Sequence, residues 1–85
     1  MVKVKVKYFS LLRDYTGKVE EEIELGDNPK LRDLLDKVSE KYPELKLLSD
    51  DGIPAIPLVN GKYVNLDHEL KEGDEVALMP PASGG

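Results

Sequence analysis

The sequence predicts an α+β domain, one amphipathic helix packed on a small mixed sheet, and three observations carry that prediction. Val2, Val4, Val6 and Tyr8 alternate with Lys3, Lys5 and Lys7, a period of two that marks a strand with one apolar face. Leu31, Leu34, Leu35 and Val38 follow at i, i+3, i+4 and i+7, the stripe of an amphipathic helix. Near the C-terminus, Glu75-Val76-Ala77-Leu78-Met79 again places Val76 and Leu78 on one face. With 85 residues the chain makes one domain that buries roughly 60–65% of its unfolded surface, enough for one modest core and too little for a deep catalytic cavity.

The elements follow in order. After the first strand the alternation stops at Phe9 and Gly17 punctuates the segment. Val19, Ile23 and Leu25 then alternate with Glu20, Glu22 and Glu24, a second strand antiparallel to the first. Lysines of one strand thus face glutamates of the other, a solvated charge pattern that helps set the pairing. Asn28-Pro29 reads as a helix start, because an asparagine can accept from the free first-turn amides and proline suits the position after it. The helix runs through the leucine stripe towards Tyr42 and stops before Pro43. From Glu44 to Pro57 the signals are mixed, with Asp51-Gly52 a turn and Pro54 and Pro57 confining any strand to an edge. Asn60-Gly61 between Leu58-Val59 and Tyr63-Val64 is a strong hairpin signal. The final strand is stopped by Pro80-Pro81. If the first and last strands lie side by side and parallel at the sheet centre, with the helix as crossover, the arrangement is the β-grasp. Residues 1–79 form the domain, and residues 80–85 an extended tail.

Composition excludes several functions. Twelve Lys+Arg stand against 17 Asp+Glu, a net charge of -5, so the footprint of a nucleic-acid binder is missing and a basic partner surface is expected. The chain has no cysteine and one histidine, His68. Disulfides, thiolate metal sites, a cysteine nucleophile and a multi-histidine metal site are therefore ruled out. No apolar run approaches the ~20 residues of a membrane span, and the Val/Lys alternation is unlike a signal peptide. The expected compartment is the cytoplasm. No Gly-rich phosphate loop and no Ser/His/Asp spacing suggests catalysis; Asp50-Asp51 reads as part of a turn and His68 as a solvated loop residue.

The chemistry concentrates at the C-terminus. Ala82-Ser83-Gly84-Gly85 follows two prolines that stiffen the exit from the last strand. Lacking Cβ atoms, Gly84 and Gly85 can pass a narrow groove and leave the terminal carboxylate unhindered to attack; the alternative is a frayed end. By parity Phe9 lies with the lysines and Met79 opposite Val76 and Leu78. In parallel neighbouring strands both emerge where the tail leaves. Phe9, Met79 and Pro80 then form an apolar docking patch beside Pro81, Ala82 and Ser83, unless Phe9 tucks under the turn that follows.

The run Val4 to Gly17 (VKVKYFSLLRDYTG), the turn Val59-Asn60-Gly61 and above all Gly73 to Gly85 (GDEVALMPPASGG) resemble the small subunit of molybdopterin synthase (MoaD) and its relative, the thiamine sulfur carrier (ThiS), both ubiquitin-like proteins. The likeness covers nearly the whole chain. Residues 44–57 carry little of it, and Pro57-Leu58 departs from the plainer strand expected there. The resemblance implies that an ATP-dependent adenylating enzyme converts the Gly85 carboxylate to an acyl-adenylate, and that a sulfur donor turns this into a thiocarboxylate. It further implies that the synthase large subunit receives the sulfur for the dithiolene that binds molybdenum or tungsten. ATP belongs to the activating partner, and this chain binds no cofactor. Three functions stay open on the residues: a sulfur carrier, including one for thiamine or transfer-RNA thiolation; a ubiquitin-like modifier joined to lysines through Gly85; and a plain interaction domain.

Overall fold

Strand β1 (Val2–Tyr8) buries Val4, Val6 and Tyr8 and turns its lysines to the other face, as period two requires. The computed structural model that establishes this describes residues 1–48 and 55–80. The expected Asp51-Gly52 turn, with Asp50 and Pro54, and the tail residues Pro81, Ala82, Ser83, Gly84 and Gly85 lie outside the described residues. Strand β2 (Glu20–Leu25) runs antiparallel to β1, with Lys3 opposite Glu24, Lys5 opposite Glu22 and Lys7 opposite Glu20. The lysine-glutamate facing read from the sequence is therefore the register. Strand β3 is Ile56–Val59 and β4 is Glu75–Met79, giving a four-stranded sheet in the order β2-β1-β4-β3. The two central strands β1 and β4 are parallel, and β3 is antiparallel to β4. Pro57 sits on an edge strand, where its missing N–H is tolerated.

Helix α2 (Leu31–Lys41) crosses between β2 and β3, and its Leu31, Leu34, Leu35 and Val38 enter one core with Val4, Val6, Tyr8, Ile23, Leu25, Val59, Val76 and Leu78. Tyr42 follows at the C-cap, before Pro43. The helix start differs from the sequence reading. Asn28 has a left-handed φ of 51° and does not cap; Lys30 is the N-cap, and its N–H donates to the Asp33 carboxylate at 2.8 Å. The free amides of Leu31 and Arg32 instead donate to the carbonyls of His68 and Leu66, at 2.9 and 3.0 Å, while Leu70 N–H donates to the Pro29 carbonyl at 2.8 Å. A distant segment of chain satisfies the helix terminus, so no asparagine cap is needed.

The same tertiary demand corrects the second hairpin. Asn60 (φ 50°) and Gly61 (φ 81°) form the turn with both central φ positive, and Val59 and Lys62 exchange hydrogen bonds of 2.9 and 3.0 Å. Pairing ends at that single bridge, and Tyr63-Val64 is not a strand, because the chain turns away to cap α2.

A second helix, α1 (Leu11–Thr16), was not legible. Leu12 and Thr16, four residues apart, face the interior, and Gly17 ends the helix at φ 72° with its N–H on the Arg13 carbonyl at 2.7 Å. Six residues are too few to display a helical period. Val19 precedes β2 and is exposed, so the inward position beside Ile23 belongs to Glu21. That carboxylate, only 8% exposed, accepts from the hydroxyls of Tyr8 (2.7 Å) and Tyr42 (2.6 Å), from Lys18 at 3.1 Å, and from Lys41. The two tyrosine rings meet edge to face at 6.0 Å. Burial alone would push the Glu21 pKa up; the donors Lys41, Tyr42, Tyr8 and Lys18 outweigh it and hold the pKa down at about 2. Burial and the facing carboxylate push both tyrosine hydroxyls up.

Candidate functional site

The tail leaves from the end of a central strand. Because β4 pairs in parallel with β1, with Tyr8 opposite Leu78, the C-terminal ends of both strands reach the same edge of the sheet. The Phe9 N–H extends the ladder by donating to the Leu78 carbonyl at 3.3 Å. Two flanking strands and the helix layer hold β4, so the position and direction of Pro80 are set by the core. At the other end of β4, Gly73 takes a φ of 85° and donates to the Lys3 carbonyl at 2.9 Å, and the Asn60 amide side chain ties the turn to Asp74 (2.9 Å) and to the Glu75 N–H (3.0 Å). The strand that carries the tail is fastened along its length.

On the sheet face away from α2, parity gathers Phe9, Ala77 and Met79 with Ile56 and Leu58 of β3, since Met79 pairs with Ile56 and Ala77 with Leu58. All five are half-buried, and Pro80 beside them is exposed. Phe9 does not disappear under the turn: with Leu58, Ala77, Lys7 and Glu75 it lines a shallow hollow on this face. Lys7 and Glu75 pair at 2.8 Å along its border, and this raises the lysine pKa and lowers the carboxylate's. Arg13 stands beside Phe9. Its Nε donates to the Tyr8 carbonyl at 2.9 Å, and its guanidinium carbon lies 5.6 Å from the centre of the Phe9 ring.

Of the residues expected at the site, the structure brings Phe9, Met79 and Pro80 to one edge. Pro81, Ala82, Ser83, Gly84 and Gly85 lie outside the described residues. Ile56, Leu58, Ala77 and Arg13 were missed. The parity of Leu58 against Val59 was available, but only the β3–β4 register places it beside Ala77. A larger hollow, about 610 Å³, lies elsewhere, between β2 and α2, against Ile23 and the charged residues Glu22, Glu24, Lys37 and Glu40. It gathers no histidine, serine or cysteine, and we attach no chemistry to it. Among the described residues no group of acidic or histidine side chains could hold a metal, and no helix is long and apolar enough to cross a membrane.

A parallel β1/β4 centre crossed by one helix defines a ubiquitin-like β-grasp protein. The chain belongs to the ThiS family, which matches residues 6–85. The molybdopterin synthase sulfur carrier subunit of Chlamydomonas reinhardtii is 40% identical over 86 residues, covering 99% of this chain and 100% of that protein. Among solved structures, the putative molybdopterin converting factor subunit 1 from Pyrococcus furiosus superposes with a TM-score of 0.86 at 40% identity, over 96% of this chain and all of that one. The small archaeal modifier protein 1 of Methanosarcina acetivorans gives 0.80 at 33% identity, over 100% and 98% of the two chains. A chain of the complex of subunits 1 and 2 of the Helicobacter pylori molybdopterin-converting factor gives 0.69 at 26% identity, over 99% and 100%.

Proposed function

We propose that this protein is the sulfur carrier of a molybdopterin synthase, working through its C-terminal carboxylate. The observation that carries the reading is family membership extending to Gly85, joined to relatives named as sulfur carrier subunits from alga to bacterium. An oxygen of the Gly85 carboxylate attacks the α-phosphorus of ATP in the activating enzyme and pyrophosphate leaves. Sulfur from a donor then adds to the acyl carbon and AMP leaves, giving a thiocarboxylate. A free carboxylate is a poor electrophile, and the adenylate supplies the leaving group that the chain lacks. The catalytic groups and ATP belong to the partners, and the absence of cysteine leaves no thiol on the chain to intercept the activated carbonyl.

The half-buried patch of Phe9, Met79, Ala77, Ile56 and Leu58, with Pro80, is the docking surface for the synthase large subunit, and Pro81, Ala82 and Ser83, which precede the reactive Gly84-Gly85 in the sequence, bind the same partner. Mixed apolar residues around a fixed exit suit a contact that seats the tail before chemistry. The reaction takes place in the cytoplasm. The test is reconstitution: the full chain, ATP, the activating enzyme and a sulfide source, followed by the large subunit and the pterin precursor. Dithiolene should form with the full chain and not with a chain lacking Gly85. Product from the truncated chain would overturn the reading, and glycine-tagged lysines on other proteins would replace it with a modifier role.

A further inference from the structure

We infer that Arg13 is a preformed carboxylate-binding site at the root of the tail, and that it receives an Asp or Glu side chain of the synthase large subunit. The inference rests on the carrier reading above. The chain has two arginines, Arg13 and Arg32, and they are used in opposite ways. Arg32 spends both Nε and a terminal nitrogen on Asp67, at 3.2 and 3.0 Å, inside its own fold. Arg13 is exposed, and no carboxylate pairs with it among the described residues, although the chain has 17 acidic residues and Lys5, Lys7 and Lys41 are each paired with one.

It is nevertheless held in place. The Nε–H to Tyr8 carbonyl bond of 2.9 Å fixes the plane of the guanidinium, and the Phe9 ring, 5.6 Å from its centre, supports one side. Tyr8 is wholly buried, so the anchoring carbonyl is as rigid as the core. Arg13's one side-chain hydrogen bond among the described residues uses Nε, which leaves the pair of terminal NH2 groups, a fork that fits one carboxylate through two parallel hydrogen bonds. Ordering a long side chain is part of the cost of association, and here folding has already met it. The fork stands beside Phe9, on the edge where Met79 and Pro80 release the tail. A partner that covers the apolar patch would remove water from the guanidinium, and an unpaired charge there would be costly. A carboxylate is the group that prevents this.

The test is binding of the purified large subunit to the intact chain. Arg13→Ala should weaken it at least tenfold, and Arg13→Lys, which keeps charge but loses the fork, should recover only a small part. Lys37→Ala, the same charge change on α2, should stay within twofold, and urea midpoints of all three should match wild type closely. Binding by Arg13→Ala equal to wild type, or an equal loss in Lys37→Ala, overturns the inference. A chain carrying a C-terminal amide separates the other source of a carboxylate: if the Arg13→Ala loss disappears in that form, Arg13 holds the chain's own Gly85 terminus and the inference is wrong. Failure of the wild-type chain to bind at all would instead count against the carrier reading.

Discussion

Replacing Glu21 by glutamine tests how the helix layer is locked to the sheet. One carboxylate oxygen accepts from the Tyr8 and Tyr42 hydroxyls and the other from Lys18 and Lys41, so a single group joins β1, β2, the α1–β2 connection and the end of α2. Hydrogen bonds to a charged group contribute about 1.5–3 kcal/mol each when buried. Both lysines are nearly half exposed, so their share is screened and small. The pKa lowered from 4.5 to about 2 corresponds to about 3 kcal/mol before that discount. Glutamine keeps the shape but turns a neutral amide towards two ammonium groups, and the expected loss is about 2 kcal/mol at pH 7. In a domain of this size that lowers Tm by roughly 8–16 °C. The pH dependence has a fixed sign. A depressed folded-state pKa contributes stability in full above the unfolded value of 4.5, and the contribution is lost as pH falls towards 2. Urea unfolding of wild type and Glu21→Gln should therefore show a constant gap from pH 7 to about 5 that closes towards pH 2. A loss below about 0.5 kcal/mol at neutral pH, or a gap that does not narrow in acid, would refute the reasoning.

Three further outcomes are expected. Met79→Asp or Phe9→Asp should weaken large-subunit binding at least tenfold while leaving the unfolding midpoint within about 1 kcal/mol of wild type, because both side chains lie on the solvent face of the sheet; collapse of the fold would place them in the core instead. Gly61→Ala should cost about 1–2 kcal/mol in urea titration, because its φ of 81° is left-handed while nothing lies within 4 Å of the added carbon, so the loss reports backbone strain alone. Leu34→Ala, at a site with no exposure, should cost about 2–5 kcal/mol by the same titration, and a smaller loss would mean that α2 is loosely packed.

The parts of the fold legible in the sequence were those with a long period. The Val/Lys and Glu/Ile runs gave β1, β2 and the facing of their charges, and Leu31 to Val38 gave α2. Both patterns arise because one face is buried. Where a short element or a distant partner decides, the residues were silent. Leu12 and Thr16 mark α1 with only one interval of four, and Glu21 sits amid glutamates whose neighbours are solvated. Nothing local distinguishes it from Glu20 until Tyr8 and Tyr42 are seen above it. Asn28 lost the cap because carbonyls from His68 and Leu66 arrive from 35 residues or so away in the chain. Tyr63-Val64 lost its strand for the same reason. At the site, parity alone placed Phe9 and Met79 on one edge, whereas Ile56, Leu58 and Ala77 needed the β3–β4 register. Arg13 needed the backbone carbonyl it grips.

The central claim is that Gly85 carries sulfur, and intact-mass analysis of the protein taken from its own cells, growing under conditions that require the cofactor, tests it most directly. A fraction of the chain should be heavier by about 16 Da, one oxygen exchanged for sulfur. Fragmentation should place the gain on the terminal glycine, and a thiol-reactive alkylating agent should shift that fraction alone, since the chain has no cysteine. A terminus found only as the plain carboxylate, or joined through Gly85 to lysines of other proteins, would contradict the account.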